Sequence, residues 1–434
     1  MFQTLVQAFK QKDLRKKLLL TLGILLIYRI GCWLPIPGLN PETFASNVSG
    51  NDFLTLLSSV SGGALANGSL LALGVVPYIS ASIIIQLLTI AIPSLERLSK
   101  SGEEGRKKIA LYTRITALVF SIIQAIAIVV TFNANGAINA EALGAGTPAW
   151  IVPCIIACVL VAGGMFTLWL GEKITDLGIG NGVSLLIFVG ILSSAGSALL
   201  ASIQSIGTNI DNLWNILIFI AVLIIVFGLI VFVDLAERKI PVQYAKQVKG
   251  RKMYGGQSTY IPIKVNGSGV LPIIFATAMV AFPQLIIQMF WPDSPAYQWY
   301  ATWLGTGTVI YFLVNALFIF FFTYFYAQIS FNPEDVSRSL QQNGGFVPGI
   351  RAGKPTTEYL KKISNRITFF GALYLAIIFV VPSVAFAAIP GASSGSMLNA
   401  FSITGLLIVV SVALEFDKQL SAQIMMKNYR GFLK

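Results

Sequence analysis

Apolar and polar stretches alternate along the chain on the length scale of a lipid bilayer. A helix rises about 1.5 Å per residue, so about 20 apolar residues cross a hydrocarbon layer ~30 Å thick. Runs of that kind occur at 18–34, 70–92, 109–131, 150–170, 179–201, 213–235, 268–290, 305–330, 367–388 and 396–420, predicting ten membrane spans. Two further stretches are amphipathic. Phe2, Leu5, Val6 and Phe9 share one face of a short helix ahead of the first run, a pattern suited to lying on a membrane surface. Segment 50–69 is too short and too rich in small residues to span, yet Phe53, Leu56, Leu57 and Val60 form a helical stripe. It reads as a half-helix re-entering from the outer side, or as a loop on the outer surface.

Charge orients these spans. With connections on alternating sides, one side receives the N-terminus, 93–108, 171–178, 236–267, 331–366 and the C-terminal tail. The other receives 35–69, 132–149, 202–212, 291–304 and 389–395, which contain no Lys or Arg. Nearly all of the 30 basic residues belong to the first side, which predicts cytoplasmic termini. Arg29 lies inside the first span and Arg114 near the start of the third. The basic start Lys10, Lys12, Arg15, Lys16 and Lys17 followed by an apolar run resembles a signal peptide. However, Cys32-Trp33-Leu34-Pro35-Ile36-Pro37 is a poor cleavage site, so an uncleaved first helix is expected.

Two cytoplasmic connections exceed what orientation requires. Connection 236–267 alternates basic residues with two β-type stretches, Ile240 to Tyr244 and Gln257 to Ile263, and Gly250 marks a tight tip between them. It reads as a basic β-hairpin projecting from the membrane. Connection 331–366 carries several Gly and Pro turn signals and Arg338, Arg351, Lys354, Lys361, Lys362 and Arg366. Such a surface suits docking of a large anionic partner, RNA or an acidic protein face. A solvated loop is the plainer reading.

Composition narrows the function. Hydrophobic residues make up 55% of the 434 and charged residues 11%, against about 25% charged in soluble proteins. With a mean hydropathy of +0.76, a soluble enzyme and a disordered chain are both excluded. There is no histidine, which removes His-ligated metals and His-activated nucleophiles. No G-x-x-x-x-G-K-[ST] loop occurs, so energy must come from a partner or the membrane potential, and no cofactor is expected. Cys32, Cys154 and Cys158 lack framework spacing and are expected as small buried packing residues. Polar residues within the spans are mostly neutral: Ser80, Ser82, Gln86, Gln124 and Asn315. Missing mid-span carboxylates weigh against an intramembrane enzyme and against a small-solute secondary transporter, the alternative that inverted repeats would allow.

An internal echo supports such a repeat. Gly74-Val75-Val76-Pro77-Tyr78-Ile79 and Gly269-Val270-Leu271-Pro272-Ile273-Ile274 share the pattern G-V-x-P-x-I, 195 residues apart, at the starts of the second and seventh spans. Five spans per half make the two halves inverted in the membrane. The expected architecture is an all-α polytopic membrane protein of two inverted five-helix halves, with a re-entrant helix and a cytoplasmic β-hairpin. Its parts are an amphipathic segment 1–17, halves 18–201 and 202–420, and a tail 421–434.

The stretch Ala72 to Leu88, containing Gly74-Val75-Val76-Pro77-Tyr78-Ile79-Ser80-Ala81-Ser82, resembles the second helix of the SecY/Sec61-alpha family of protein-conducting channels. Further similar motifs follow in family order. They include Pro35-Ile36-Pro37-Gly38, Ser61-Gly62-Gly63-Ala64-Leu65, Trp169-Leu170-Gly171-Glu172, Gly178-Ile179-Gly180-Asn181-Gly182, Tyr244-Ala245-Lys246, Gln257-Ser258-Thr259 and Phe346-Val347-Pro348-Gly349-Ile350-Arg351.

The resemblance implies a channel for unfolded polypeptides that also releases membrane segments sideways into the lipid bilayer. It implies an apolar pore ring of Val75, Ile79, Val183, Ile187, Ile274 and Ile408, with valine at two positions where isoleucine is common. It implies a plug over about 53–68, including Phe53, Leu56, Leu57, Val60, Gly62 and Gly63. A lateral gate would use Ser80, Ser82 and Gln86, which as plain helix-packing hydrogen bonders need no such role. Arg251, Lys252 and Arg351 would meet the SecA motor and the ribosome. SecE and SecG would be companion subunits, and signal sequences and nascent chains the cargo, in the bacterial plasma membrane.

Overall fold

A computed structural model of the chain describes residues 2–39, 48, 54, 58, 61–134, 136–138, 148, 150–206, 211–244, 247–249, 252–254, 258–267, 269, 271–290, 294–305, 308–387 and 403–431. After a short helix α1 (Phe2–Lys10), helices overlie the apolar runs: α2 (Lys12–Gly31), α3 (Val76–Ala91), α5 (Glu103–Ala134), α6 (Ile151–Leu177), α7 (Gly182–Ile206) and α8 (Asp211–Leu235). They continue as α9 (Leu271–Phe290), α11 (Val309–Ser330), α13 (Lys354–Ala387) and α14 (Ile403–Gly431). Shorter helices α4 (Pro93–Lys100), α10 (Pro295–Leu304) and α12 (Pro333–Gln342) lie between them. Strands β1 (Glu237–Tyr244), β2 (Gln247–Lys249), β3 (Lys252–Tyr254) and β4 (Ser258–Lys264) separate α8 from α9, and β5 (Gly345–Phe346) follows α12.

Among the described residues, Glu103–Asn133, Ile151–Leu177, Val309–Gln342 and Lys354–Pro382 are long and apolar enough to cross a membrane. The pair α3 and α4, bent by 102°, makes a fifth candidate, and Gly182–Ser197, Ile220–Leu235 and Leu271–Val280 are shorter apolar helices. The surface agrees with a lipid solvent. On α8, Phe232 is 74% exposed while Ile230 is fully buried. Apolar side chains pointing outward in such numbers are tolerated in hydrocarbon and not in water. The chain is a multi-pass membrane protein.

The same physics corrects the expectation for two cysteines. Cys32 is buried, but Cys154 and Cys158 on α6 are exposed. A small hydrophobe seeks the interior of a soluble protein, whereas a membrane helix can present it outward without cost.

The chain divides into two units. The first comprises Met1–Ile216, Ala281–Thr306 and Ile389–Lys434. In it α3 packs on α5, α5 on α6, α6 on α7, and α7 on α14. Ala81 and Ala117, both buried, let α3 and α5 approach closely beside Leu168. A second core joins Val48, Leu54, Leu65 and Leu73 to Ile128 and Phe132 of α5 and Ile156 and Leu160 of α6.

Helix α1 is not simply laid on a surface. Ala8, Leu14, Leu18, Ile179, Leu420 and Ile424 form one core, and Thr4 Oγ1 donates to Asp417 Oδ1 at 2.6 Å. The apolar stripe of α1 is divided: Leu5 packs against this core while Val6 and Phe9 stay exposed.

The second unit comprises Leu217–Val280 and Gly307–Ala388. Here α11 packs along α13. Phe275 of α9 stacks on Tyr326 of α11 with centroids 4.9 Å apart. Strands β1 and β4 pair antiparallel from Glu237↔Lys264 to Gln243↔Ser258. Pro241 is tolerated because β1 is still an edge there; β5 joins its outer side only at Gln243 and Tyr244.

The second basic connection is more ordered than its turn signals suggest. Asn332 caps α12, its side chain accepting from Glu334 N at 3.1 Å. Helix α13 begins at Lys354, inside the stretch expected to be loop, because its first turns bury Leu360 against Ile240, Val242, Ile263, Leu340 and Val347.

Candidate functional site

The approach to α3 is a run of turns over 61–75. Gly74 has φ +54 and Gly269 has φ +65, a left-handed conformation that L side chains avoid. Two residues later α3 starts at Val76 with Pro77, and α9 starts at Leu271 with Pro272. Proline is tolerated there because first-turn N–H groups have no helical partner. The G-V-x-P echo is therefore one helix-starting device used twice. It also explains why α3 begins six residues into the apolar run that predicted it.

Residues 61–63 are held against α2. Tyr28 Oη donates to Ser61 O at 3.4 Å, and Arg29 Nη1 donates to Gly62 O at 3.2 Å. Arg29 Nη2 donates to Ser193 Oγ on α7. Gly62 has φ +72, and a Cβ there would stand 2.7 Å from both Arg29 Nη1 and Gly190 Cα. No other residue fits that gap without displacing α2 or α7. Gly63 N donates to Ser58 O at 2.8 Å, closing the turn on the segment before it. Of the expected plug residues, Gly62 and Gly63 sit in this turn, while Phe53, Leu56, Leu57 and Val60 lie outside the described residues. Leu54, Ser58 and Val48 are helical and buried.

Five expected ring residues fall in the first unit. Val75, the N-cap of α3, is buried, and Ile79 one turn on is half-buried. Ile187 on α7 and Ile408 on α14 are buried, on two helices that pack together. Val183 is half-buried, its Cγ2 3.0 Å from where a Cβ on Gly171 of α6 would stand. Gly171 thus gives Val183 its space. Ile274, half-buried on α9, belongs to the second unit.

Ser80 and Ser82 on α3 are half-buried, and Gln86 is exposed. Gln86 Nε2 donates to Ser82 Oγ at 3.4 Å, so these two share one helix face a turn apart.

The docking residues divide differently. Arg251 lies outside the described residues, and of Lys252 the structure describes the backbone in β3, paired with Lys249 across the tip. Arg351 is exposed between β5 and α13, its carbonyl accepting from Thr356 Oγ1 at 2.8 Å. Because β5 pairs with β1 and both connections share one core, they form a single platform under Arg351. No periodicity signal betrays a pairing two residues long. On α4, in the basic connection 93–108, the ammonium of Lys100 holds the Glu96 carboxyl below the usual range by a direct hydrogen bond.

Arg114 of α5 pairs with Glu172 of α6 at 2.6 Å, joining the two helices. With Arg29 bound to Gly62 and Ser193, both of these charges have identified partners. Neither partner is adjacent in sequence, so spacing alone could not find them.

The SecY family model matches residues 69–416. The protein translocase subunit SecY of Streptomyces coelicolor is 44% identical over 450 residues, covering 100% of both chains. Two solved structures share the fold. One was described as showing that the plug domain of the SecY protein stabilises the closed translocation channel and maintains a membrane seal; it aligns with TM-score 0.63 and 20% identity, over 94% of this chain and 91% of that one. The other, canine Sec61 in a ribosome–channel complex from the endoplasmic reticulum, aligns with TM-score 0.58 and 19% identity over the same shares. Matched over most of its length by the family model and end to end by a relative, the chain belongs to the SecY family.

Proposed function

We propose that this chain is the pore-forming subunit of a protein translocase in a bacterial plasma membrane. It passes unfolded secretory polypeptides across the bilayer and releases their apolar segments sideways into lipid. The observation that carries this is the end-to-end match, at 44% identity, to a translocase subunit. It is a channel and not an enzyme.

The finer reading has ten spans in two inverted halves, 18–201 and 202–420, with both termini cytoplasmic. Val75, Ile79, Val183, Ile187, Ile274 and Ile408 line the waist. Aliphatic side chains offer a passing chain no ion pair or strong hydrogen bond, so they hold nothing back, and a narrow apolar waist dewets and resists ions. Segment 53–68 acts as the plug, and α3 with Ser80, Ser82 and Gln86 as one side of the lateral gate. The basic platform with Arg251, Lys252 and Arg351 receives the SecA motor or the ribosome, and SecE and SecG complete the assembly. A ribosome-bound relative of the same fold supports the platform reading.

Depleting the chain from cells should make precursors with uncleaved signal sequences accumulate inside them, followed by immunoblot. Normal export after the chain is exhausted would overturn the proposal.

A further inference from the structure

Arg29 stands apart among the basic residues. It lies in the last turn of α2, away from the basic face. A guanidinium in a membrane span is costly unless its donors are occupied. Among the described residues its hydrogen bonds run to a backbone carbonyl at Gly62 and a hydroxyl at Ser193, both neutral acceptors. The site around it is built closely: Tyr28 also reaches Ser61, and Gly62 leaves no room for a side chain between α2 and α7.

Neutral acceptors matter for what such a contact can do. A buried charge paired with a carboxylate is costly to separate. A charged hydrogen bond to a carbonyl or hydroxyl holds more loosely, yet more strongly than one between neutral groups. It suits a contact made and broken repeatedly. The Gly62 carbonyl gives α2 a polar grip on a residue that offers no side chain.

We propose that Arg29 is a latch on the plug. Its guanidinium ties the end of the plug segment at Gly62 to α2 and, through Ser193, to α7, and so biases the idle channel toward the closed state. Opening requires the Gly62 bond to break while Arg29 stays on α2, ready to re-form it when the chain has passed. This rests on reading 53–68 as the plug.

The test compares idle ion conductance of the full chain, purified in its native assembly and placed in planar bilayers. Variants are Arg29→Gln, Arg29→Lys, Ser193→Ala and a deletion of 54–60, with thermal unfolding recorded for each. Loss of one charged hydrogen bond should shift the closed–open balance roughly tenfold. Arg29→Gln should therefore raise leak about tenfold with an unchanged unfolding temperature, Ser193→Ala less, and Arg29→Lys should restore part of the seal. Cells carrying Arg29→Gln should also export precursors with defective signal sequences. A leak in the deletion variant with none in Arg29→Gln and Ser193→Ala would overturn the latch and leave the plug standing. No leak in the deletion variant would overturn the plug reading and the latch with it. A leak in Arg29→Gln accompanied by a lowered unfolding temperature, and absent from Ser193→Ala, would assign Arg29 to packing and overturn the latch.

Discussion

An aliphatic side chain at a pore waist works by what it lacks. It cannot form a hydrogen bond with water, and two such residues facing a narrow gap exclude water from it. Replacing Ile79 and Ile187 together by glycine should raise idle conductance by roughly an order of magnitude as the constriction rewets. Single-channel recording checks this, and unchanged conductance would remove both residues from the ring. Here sequence reasoning reached some residues and missed others for a physical reason. Gly74 was legible as a helix-starting turn because its motif recurs at Gly269, and both glycines take the same left-handed conformation. Arg29 was legible as a misplaced charge, but Gly62 and Ser193 were not legible as its acceptors. A carbonyl has no sequence signature, and serine is common in every span.

The multi-pass character was readable because hydropathy over a bilayer's thickness is a strong signal. Short elements in the basic connections were not. Helix α12 buries only Ser337 and Leu340, too few apolar positions to reveal a periodicity. Strand β5 pairs through Gly345 and Phe346 alone. Yet this strand fuses two connections into one platform, and its glycine decides whether it can. A Cβ at Gly345 would stand 2.9 Å from Tyr244 Cε1 and 3.3 Å from Leu340 Cδ2. Gly345→Val should therefore push β5 off β1, at a cost of about 1–3 kcal/mol. Limited proteolysis of the purified protein should then cut within 331–353 while the membrane helices stay intact. Equal protease resistance would show that the platform tolerates the strand's loss.

At the scale of the whole molecule, the topology proposed above gathers the +12 charge on one face, and the platform presents Arg351. Attraction between such a face and an anionic partner decays over about 8–10 Å at physiological salt, so it steers arrival and the local contacts decide retention. Arg351→Glu should weaken binding of the motor or the ribosome about tenfold, measured by cosedimentation with reconstituted vesicles, without altering helix content. Undiminished binding would return this region to a solvated loop. The contact between the two ends of the chain carries a consequence of another kind. Thr4 and Asp417 are 413 positions apart and hydrogen-bonded. A ribosome adding about 5–20 residues per second needs roughly 20–80 seconds to make the second after the first. Throughout that interval the packing face of Ala8, Leu14 and Leu18 waits without Leu420 and Ile424. A packing face made early, on α1 and α2, is finished by residues made late, so a chain released before residue 420 carries that face bare, a mark by which a quality-control protease tells it from one that has folded.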